Sequence, residues 1–422
     1  MSATRVIQGL GPNWRQFALL VAVNAFVGGM AGLERSVVPL LATEEFGVES
    51  ATAVLAFIAA FGAAKALANL VAGRLSDRYS RRQVLIAGWL LALPVPLIII
   101  FAPAWWWIIA ANLLLGLSQG LAWSMTVNMK MDLVGPKRRG TALGLNEAAG
   151  YLAVAAAAFL SGVIAEEYGL RPQPFYLGIV FVAAGLALSA LLVRDTAAYT
   201  ALEAGGRTAD GYGLRQAFAR ATWRDRRLFG ISQAGFANNL NDALAWGIFP
   251  IFFASQGLSL ARIGVLAAIY PLVWGGGQIG TGWLSDILGR RPLIAGGMAL
   301  QAVAIWLVVA VDSYAGWIAA VSLLGAGTAM VYPTLIAAIG DSVRPEERAT
   351  TVGVYRFWRD IGAMAGALLA GVITDALGFR WAMHGVATVT LISGFIAFFA
   401  LGMRPGPKAA GLHAVGRRME VT

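Results

Sequence analysis

The sequence predicts an all-α polytopic membrane protein, with twelve transmembrane helices arranged as two pseudo-symmetric six-helix bundles. Three observations predict it. Of 422 residues, 58% are hydrophobic and 13% charged, against roughly a quarter charged in soluble domains. The apolar residues gather into twelve runs of about the 20 residues that a bilayer-spanning helix needs. The chain also repeats itself: GRLSDRYSRR at 73–82 returns as GWLSDILGRR at 282–291.

The runs fall at 17–41, 51–73, 84–102, 106–132, 141–165 and 175–193, then at 228–254, 262–282, 292–311, 316–339, 350–373 and 381–402. Residues 194–227, rich in glycine and arginine, are the only long polar interruption. The expected organisation is therefore a bundle over 1–193, a cytoplasmic linker over 194–227, a second bundle over 228–402 and a basic tail over 403–422. The formal charge of +10 has a membrane use, because arginine and lysine hold loops on the cytoplasmic side. Arg74, Arg78, Arg81 and Arg82 follow span 2, Lys137, Arg138 and Arg139 follow span 4, and seven arginines lie in the middle segment. The opposite loops hold only Arg171, Arg262 and Arg380. Both termini are thus expected in the cytoplasm, the protein in the inner membrane, and lipid rather than nucleic acid around it. With no cysteine, disulfides and thiolate metal sites are excluded. The first apolar run is too long for a cleavable signal and reads as span 1.

A shift of 209 residues, the distance from Gly73 to Gly282, superposes Ser76 on Ser285, Asp77 on Asp286, and Arg81 and Arg82 on Arg290 and Arg291. It continues through Asp132 and Asp341, Gly144 and Gly353, and Gly162 and Gly371. Internally repeated helical bundles are a transporter plan, with the substrate site near the bilayer midplane between the halves. Both ten-residue stretches resemble the loop signature of the major facilitator superfamily, G-x-L-[SA]-D-R-x-G-R-[RK]. The first departs from it at Ser80 and the second at Ile287. The resemblance covers essentially the whole chain. It implies that spans 3, 6, 9 and 12 are peripheral, and these spans contain no Asp, Glu, Lys or Arg.

That resemblance also implies a gate. Gly73 would let span 2 approach span 11 closely, Asp77 would complement the positive end of span 11, and Arg78 would reach Asp132. Asp286, Arg290 and Asp341 would form a looser counterpart. Glu147 and Arg356, superposed by the repeat shift, are expected to pair as a further gate on the cytoplasmic side. The alternative for the residues of the repeated loops is that they are ordinary positive-inside charges.

Charged and polar groups inside spans are costly to insert, about 2.5–3.5 kcal/mol for a charge at the helix centre, and mark the bundle interior. At about 1.5 Å per residue, Lys65, Asn238, Asn241, Asp242, Arg359 and Asp360 are assigned to the central substrate-binding cavity. Glu34 and Arg35 are expected at the outer mouth. Arg356 and Asp360, four apart on one helix, are open to mutual neutralisation, and the span-7 asparagines to a role as helix–helix contacts. Proton coupling needs an acid whose charge burial destabilises. Asp242 and Asp360 come first, then Glu147.

The leading functional expectation is a secondary active transporter, not an enzyme, that moves a small molecule by alternating access, coupled to protons and directed outward. The alternative is a symporter, importer or uniporter for a small polar or anionic solute or a metal ion, or a sensor on the same scaffold. Span 5 lacks the glycine-proline signature of the superfamily's drug antiporters, and Gly116 stands where they have arginine. No cofactor or resident metal is implied, and a monomer is expected.

Overall fold

The computed structural model describes residues 7–135, 139–199 and 213–402. Twelve membrane-spanning helices form two six-helix bundles. In the first bundle they are α1 (Leu10–Glu44), α2 (Ala51–Arg78), α3 (Arg81–Phe101), α4 (Trp105–Val134), α5 (Arg139–Tyr168) and α6 (Gln173–Leu191). In the second they are α7 (226–255), α8 (Leu260–Leu288), α9 (Arg290–Ala310), α10 (Tyr314–Gly340), α11 (Pro345–Leu377) and α12 (Phe379–Gly402). Eleven are long and apolar enough to cross a membrane on those grounds alone. The other, α7, has the asparagines of its middle in place of apolar residues. It is also divided into Arg226–Ala243, a π-helical turn over Leu244–Ile248, and Phe249–Ser255. Helix α1 breaks at Leu33, so Glu34 opens a second segment that ends at Glu44. Single π-turns are frequent at functional sites, and here one directly follows Asp242.

Helices α3, α6, α9 and α12 pack inside their own bundles. The interface between bundles is made by α1, α2 and α5 on one side and α7, α8 and α11 on the other. Without a hydrophobic drive inside lipid, such packing relies on small residues that let backbones approach. A Cβ on Gly28 would overlap the carbonyl oxygen of Gly150, and one on Gly116 the carbonyl oxygen of Phe61. These contacts join α1 to α5 and α4 to α2.

The two ends of the bundle interface differ. Call the end that carries 73–82 and 282–291 the loop face. At the opposite face, a Cβ on Gly371 of α11 would lie 2.6 Å from Thr52 Cα of α2, and one on Gly162 of α5 would lie 2.7 Å from Gly264 Cα of α8. Near the middle, Gly62 meets Asp360 and Met364 at 3.0 Å, and Gly275 meets Tyr151 at 3.1 Å. At the loop face, Gly73, Gly144, Gly282 and Gly353 have nothing within 4 Å of an added Cβ. The four are two repeat-matched pairs. So α2 and α11, like α5 and α8, are packed at one end and splayed at the other. The close approach expected at Gly73 is absent, and Gly73 is exposed, because its stretch of α2 lies in the splayed half.

Charge pairs on the loop face also correct the expected gate. Asp132 is bound by Arg81, not Arg78, and accepts the Thr196 hydroxyl at 2.6 Å. Arg78 is exposed and lies over the ring of Tyr79 at 5.6 Å. Arg81 starts α3 and so faces the end of α4, whereas Arg78 ends α2 and turns outward. The second bundle repeats the arrangement: Arg290 pairs with Asp341 at 3.1 Å and with Asp286 at 2.6 Å. The side chain of Asp77 lies outside the described residues. The segment Leu214–Ala219 and the turn Arg220–Arg224 rest on the loop-face end of α11, where Arg220 pairs with Glu347 at 3.0 Å.

Two glycine substitutions should move stability in opposite directions. Gly28→Ala forces a Cβ into backbone and should destabilise by about 1–3 kcal/mol. Gly73→Ala has open space and removes a helix glycine, so it should be neutral or stabilising by up to about 1 kcal/mol. Thermal unfolding in detergent followed by size-exclusion separates the two. In the same assay Arg81→Ala should cost about 2 kcal/mol through Asp132, whose side chain is 6% exposed, and Arg78→Ala about 0.5 kcal/mol or less.

Candidate functional site

Arg359 of α11 sits at the meeting point of the two bundles. Its guanidinium lies 3.3 Å from Asp360 and 4.0 Å from Asp242 of α7, and donates to the Tyr151 hydroxyl of α5 at 3.2 Å. Its face looks onto the Tyr332 ring at 4.5 Å and the Trp274 ring at 5.8 Å. Arg359, Asp242 and Asp360 are each no more than 5% exposed. Each acid has a second holder. Tyr270 donates to Asp242 at 2.6 Å, and Asn69 of α2 donates to Asp360 at 2.5 Å while accepting the Ser124 hydroxyl at 2.7 Å. Lys65, Asp242, Arg359 and Asp360, all assigned to the cavity from the sequence, are thus brought to one region.

Lys65 is half-buried, with its ammonium 5.4 Å from the Phe61 ring and 5.6 Å from the Trp123 ring, and no acid lies within ion-pair distance of it among the described residues. It shares its surroundings with Asp360, Arg359, Arg35 and Glu147. Arg35, expected at the outer mouth, is instead 3% exposed, stacked 4.1 Å over Trp246, and also without an acid at ion-pair distance. Cation–π contacts of about 0.5–2 kcal/mol hold such guanidinium groups. Glu34 is likewise buried, and its Oε1 has no hydrogen-bond partner among the described residues.

The remaining expectations divide. Asn238 and Asn241 do not reach the cavity. Gln301 of α9 donates to Asn238 at 3.0 Å and accepts from Asn241 at 2.6 Å, and Thr390 of α12 donates to Asn241 at 2.7 Å. Both asparagines tie α7 to peripheral helices: three residues apart, they are close enough on the helix surface to share Gln301. Glu147 and Arg356 make no ion pair. Glu147 is 2% exposed and accepts from Trp123 at 2.9 Å, Asn146 at 3.2 Å and Tyr332 of α10 at 3.1 Å. Nor does Arg356 neutralise Asp360, which Arg359 and Asn69 already hold.

Aromatic rings complete the lining. Tyr151 and Trp274 stack with centroids 3.6 Å apart, Trp274 meets Tyr332 edge-on at 5.8 Å, and Trp123 lies 5.4 Å from Tyr151. Sequence reasoning passed these rings over, although the repeat shift places Trp274 on Lys65 and Asp360 on Tyr151. Chemically, the arrangement offers flat apolar walls, two cations without acid partners, and one cation shared by two acids. Among the described residues no group of three His, Cys, Asp or Glu is placed to hold a metal ion.

Comparison with known proteins places this geometry. The profile of the Major Facilitator Superfamily matches residues 17–238 and 231–418. Relatives include the inner membrane transport protein YnfM of Escherichia coli, 27% identical over 35% of this chain and 35% of that protein. Citrate exporter 1 of Aspergillus niger is 29% identical over 33% of this chain and 27% of that protein. The alignments span about a third or less of the length of these two relatives. A longer match, 23% identical over 82% of this chain and 80% of the other, is the probable 4-methylmuconolactone transporter of Cupriavidus pinatubonensis. Among solved structures, a bacterial homologue of the human lysosomal transporter Spinster, described as inward-facing and unoccupied, superposes with a TM-score of 0.71 at 15% identity. That match covers 92% of this chain and 97% of that one. With both halves matched by the family profile and the fold shared, the chain belongs to the Major Facilitator Superfamily and is a multi-pass membrane protein.

Proposed function

We propose that this protein is a proton-coupled symporter of a small organic anion, working by alternating access, with its cavity open to the cytoplasm in the conformation described. One observation carries the reading: Arg359 is shared by Asp242 and Asp360, while Lys65 and Arg35 stand beside it without an acid at ion-pair distance. A buried cation without a counter-charge is expensive. A carboxylate that enters from the open side meets that cost at Lys65, and the rings of Tyr151, Trp274 and Tyr332 offer surfaces for its carbon skeleton. The relatives named for citrate and for 4-methylmuconolactone are named for small oxygen-rich molecules, in keeping with such a cargo. The splayed face carries the arginine-rich loops, which supports its placement in the cytoplasm.

Charge balance supports symport over outward antiport. Four acids (Glu34, Glu147, Asp242, Asp360) share the site with four cations (Arg35, Lys65, Lys130, Arg359). An arriving anion adds one unbalanced negative charge, which an accompanying proton offsets. We place that proton on Glu147, whose partners Trp123, Asn146 and Tyr332 are all neutral donors. Asp242 and Asp360 already share a guanidinium.

Proteoliposomes loaded with a pH-sensitive dye test this reading with a panel of mono- and dicarboxylates. An imposed inward gradient of the right anion should acidify the lumen, whereas alkalinisation would establish antiport and overturn symport. Lys65→Ala should raise the half-saturating anion concentration about tenfold or more, the loss of one charge-assisted contact. Glu147→Gln should abolish the proton signal while labelled anion still exchanges. A proton signal of parental size in Glu147→Gln moves the carrier elsewhere.

A further inference from the structure

Asp375 lies in the last turn of α11, where a carboxylate opposes the negative end of its own helix dipole. Its position is explained by another helix. Oδ1 accepts the backbone N–H of Ala51 at 2.6 Å, Oδ2 accepts that of Thr52 at 3.1 Å, and the Ser50 hydroxyl donates at 2.8 Å. Ala51 and Thr52 begin α2, and the first N–H groups of a helix have no partner within it. Ser50, the ordinary N-cap residue, accepts from Ala53 at 3.2 Å. The acid from α11 therefore completes the cap of α2 across the bundle interface.

The same construction occurs at the other inter-bundle pair. Glu166, near the end of α5, accepts the backbone N–H of Ala261 at the start of α8 at 2.9 Å. Glu166 and Asp375 are 209 residues apart, as are Ala261's counterpart Thr52 and Ala261 itself. Two caps related by the internal repeat thus bridge the bundles on the face opposite the loops. Directly beneath them are the tight contacts of Gly371 with Thr52 and Gly162 with Gly264.

We infer that Asp375 and Glu166 are paired latches that hold this face shut, and that the face opens only when both interhelical caps are released. The antiparallel arrangement makes this possible, because each of these helix pairs presents one helix N-terminus at each face. Both acids are exposed, so on release water takes over the N–H groups and the carboxylates. The caps therefore bias the equilibrium modestly, as suits contacts that break in every cycle. This inference goes beyond the nature of the cargo and survives if the anion reading fails.

The chain has no cysteine, so a single reporter can be introduced without background. Leu55, one turn into α2 beneath the latch, is fully buried and covers Gly247 of α7. In a Leu55→Cys background reconstituted in sealed vesicles, the rate of modification by a membrane-impermeant maleimide, added on the latch face, reports opening of that face without any substrate. Asp375→Ala and Glu166→Ala should each raise the rate about fivefold, the typical worth of a helix cap, and the double variant should exceed either single. Glu167→Ala removes a neighbouring exposed charge that makes no hydrogen bond among the described residues, and should leave the rate unchanged. A double variant within twofold of the parent, or an equal rise in Glu167→Ala, overturns the inference. Should the alanine variants aggregate, Asp375→Asn combined with Glu166→Gln keeps acceptor oxygens without charge and should raise the rate about threefold. No rise in that pair also overturns it.

Discussion

The interaction on which the rest of this structure depends is the contact of Arg359 with Asp242 and Asp360 inside the bilayer. A guanidinium at this depth persists only with counter-charge and hydrogen-bond partners, and here they come from four helices. Asp242 is on α7, Asp360 on α11 itself, Tyr151 on α5, and Asn69 of α2 holds Asp360 in turn. Two of these, α2 and α5, belong to the opposite bundle. The cluster therefore satisfies buried charge and also joins the two halves near the middle of the membrane. Lys65 and Arg35 face aromatic rings and, among the described residues, have no acid at ion-pair distance.

The internal repeat turns this local chemistry into a two-ended machine. Each inter-bundle helix pair carries small residues along its whole length, yet only those on one side of the cluster are in contact. Gly371 and Gly162 touch the opposite bundle, while their companions Gly353 and Gly144 face open space. A pair of straight, stiff helices cannot be closely packed at both ends around a filled middle. On the proposed alternating-access reading, glycine at the splayed end serves the packing that this end adopts when the other opens.

Much of the fold was legible in the sequence, because hydrophobic runs and a 209-residue offset are global signals that no single residue can hide. The site was legible where depth alone decides, as at Lys65, Asp242, Arg359 and Asp360. It failed where helix azimuth decides. Asn241 is as deep as Asp242 but points about a quarter-turn away, toward Gln301 and Thr390, and depth carries no information about direction. Arg35 was misplaced because depth along a run says nothing of the Phe61 and Trp246 rings that its guanidinium faces. Arg81 was the recoverable case. The offset that superposes Asp132 on Asp341 also superposes Arg81 on Arg290, so the repeat already named the right arginine, and the family signature drew attention to Arg78 instead.

Along α2 and α11 the contacts run in a fixed order from one face to the other: Asp375 on Ala51 and Thr52, Gly371 on Thr52, Gly62 on Asp360, Asn69 on Asp360, and then none at Gly73. Among the described residues, the hydrogen bond between α2 and α11 nearest the splayed end is Asn69–Asp360. That puts the proposed fulcrum between the latched and splayed ends at Asp360. On the proposed reading, an anion that binds at Lys65 and Arg359 acts beside that fulcrum, where competition for Arg359 changes what holds Asp360. A small redistribution of hydrogen bonds there displaces both helix ends, which is how a buried ion cluster comes to govern two faces of the membrane at once.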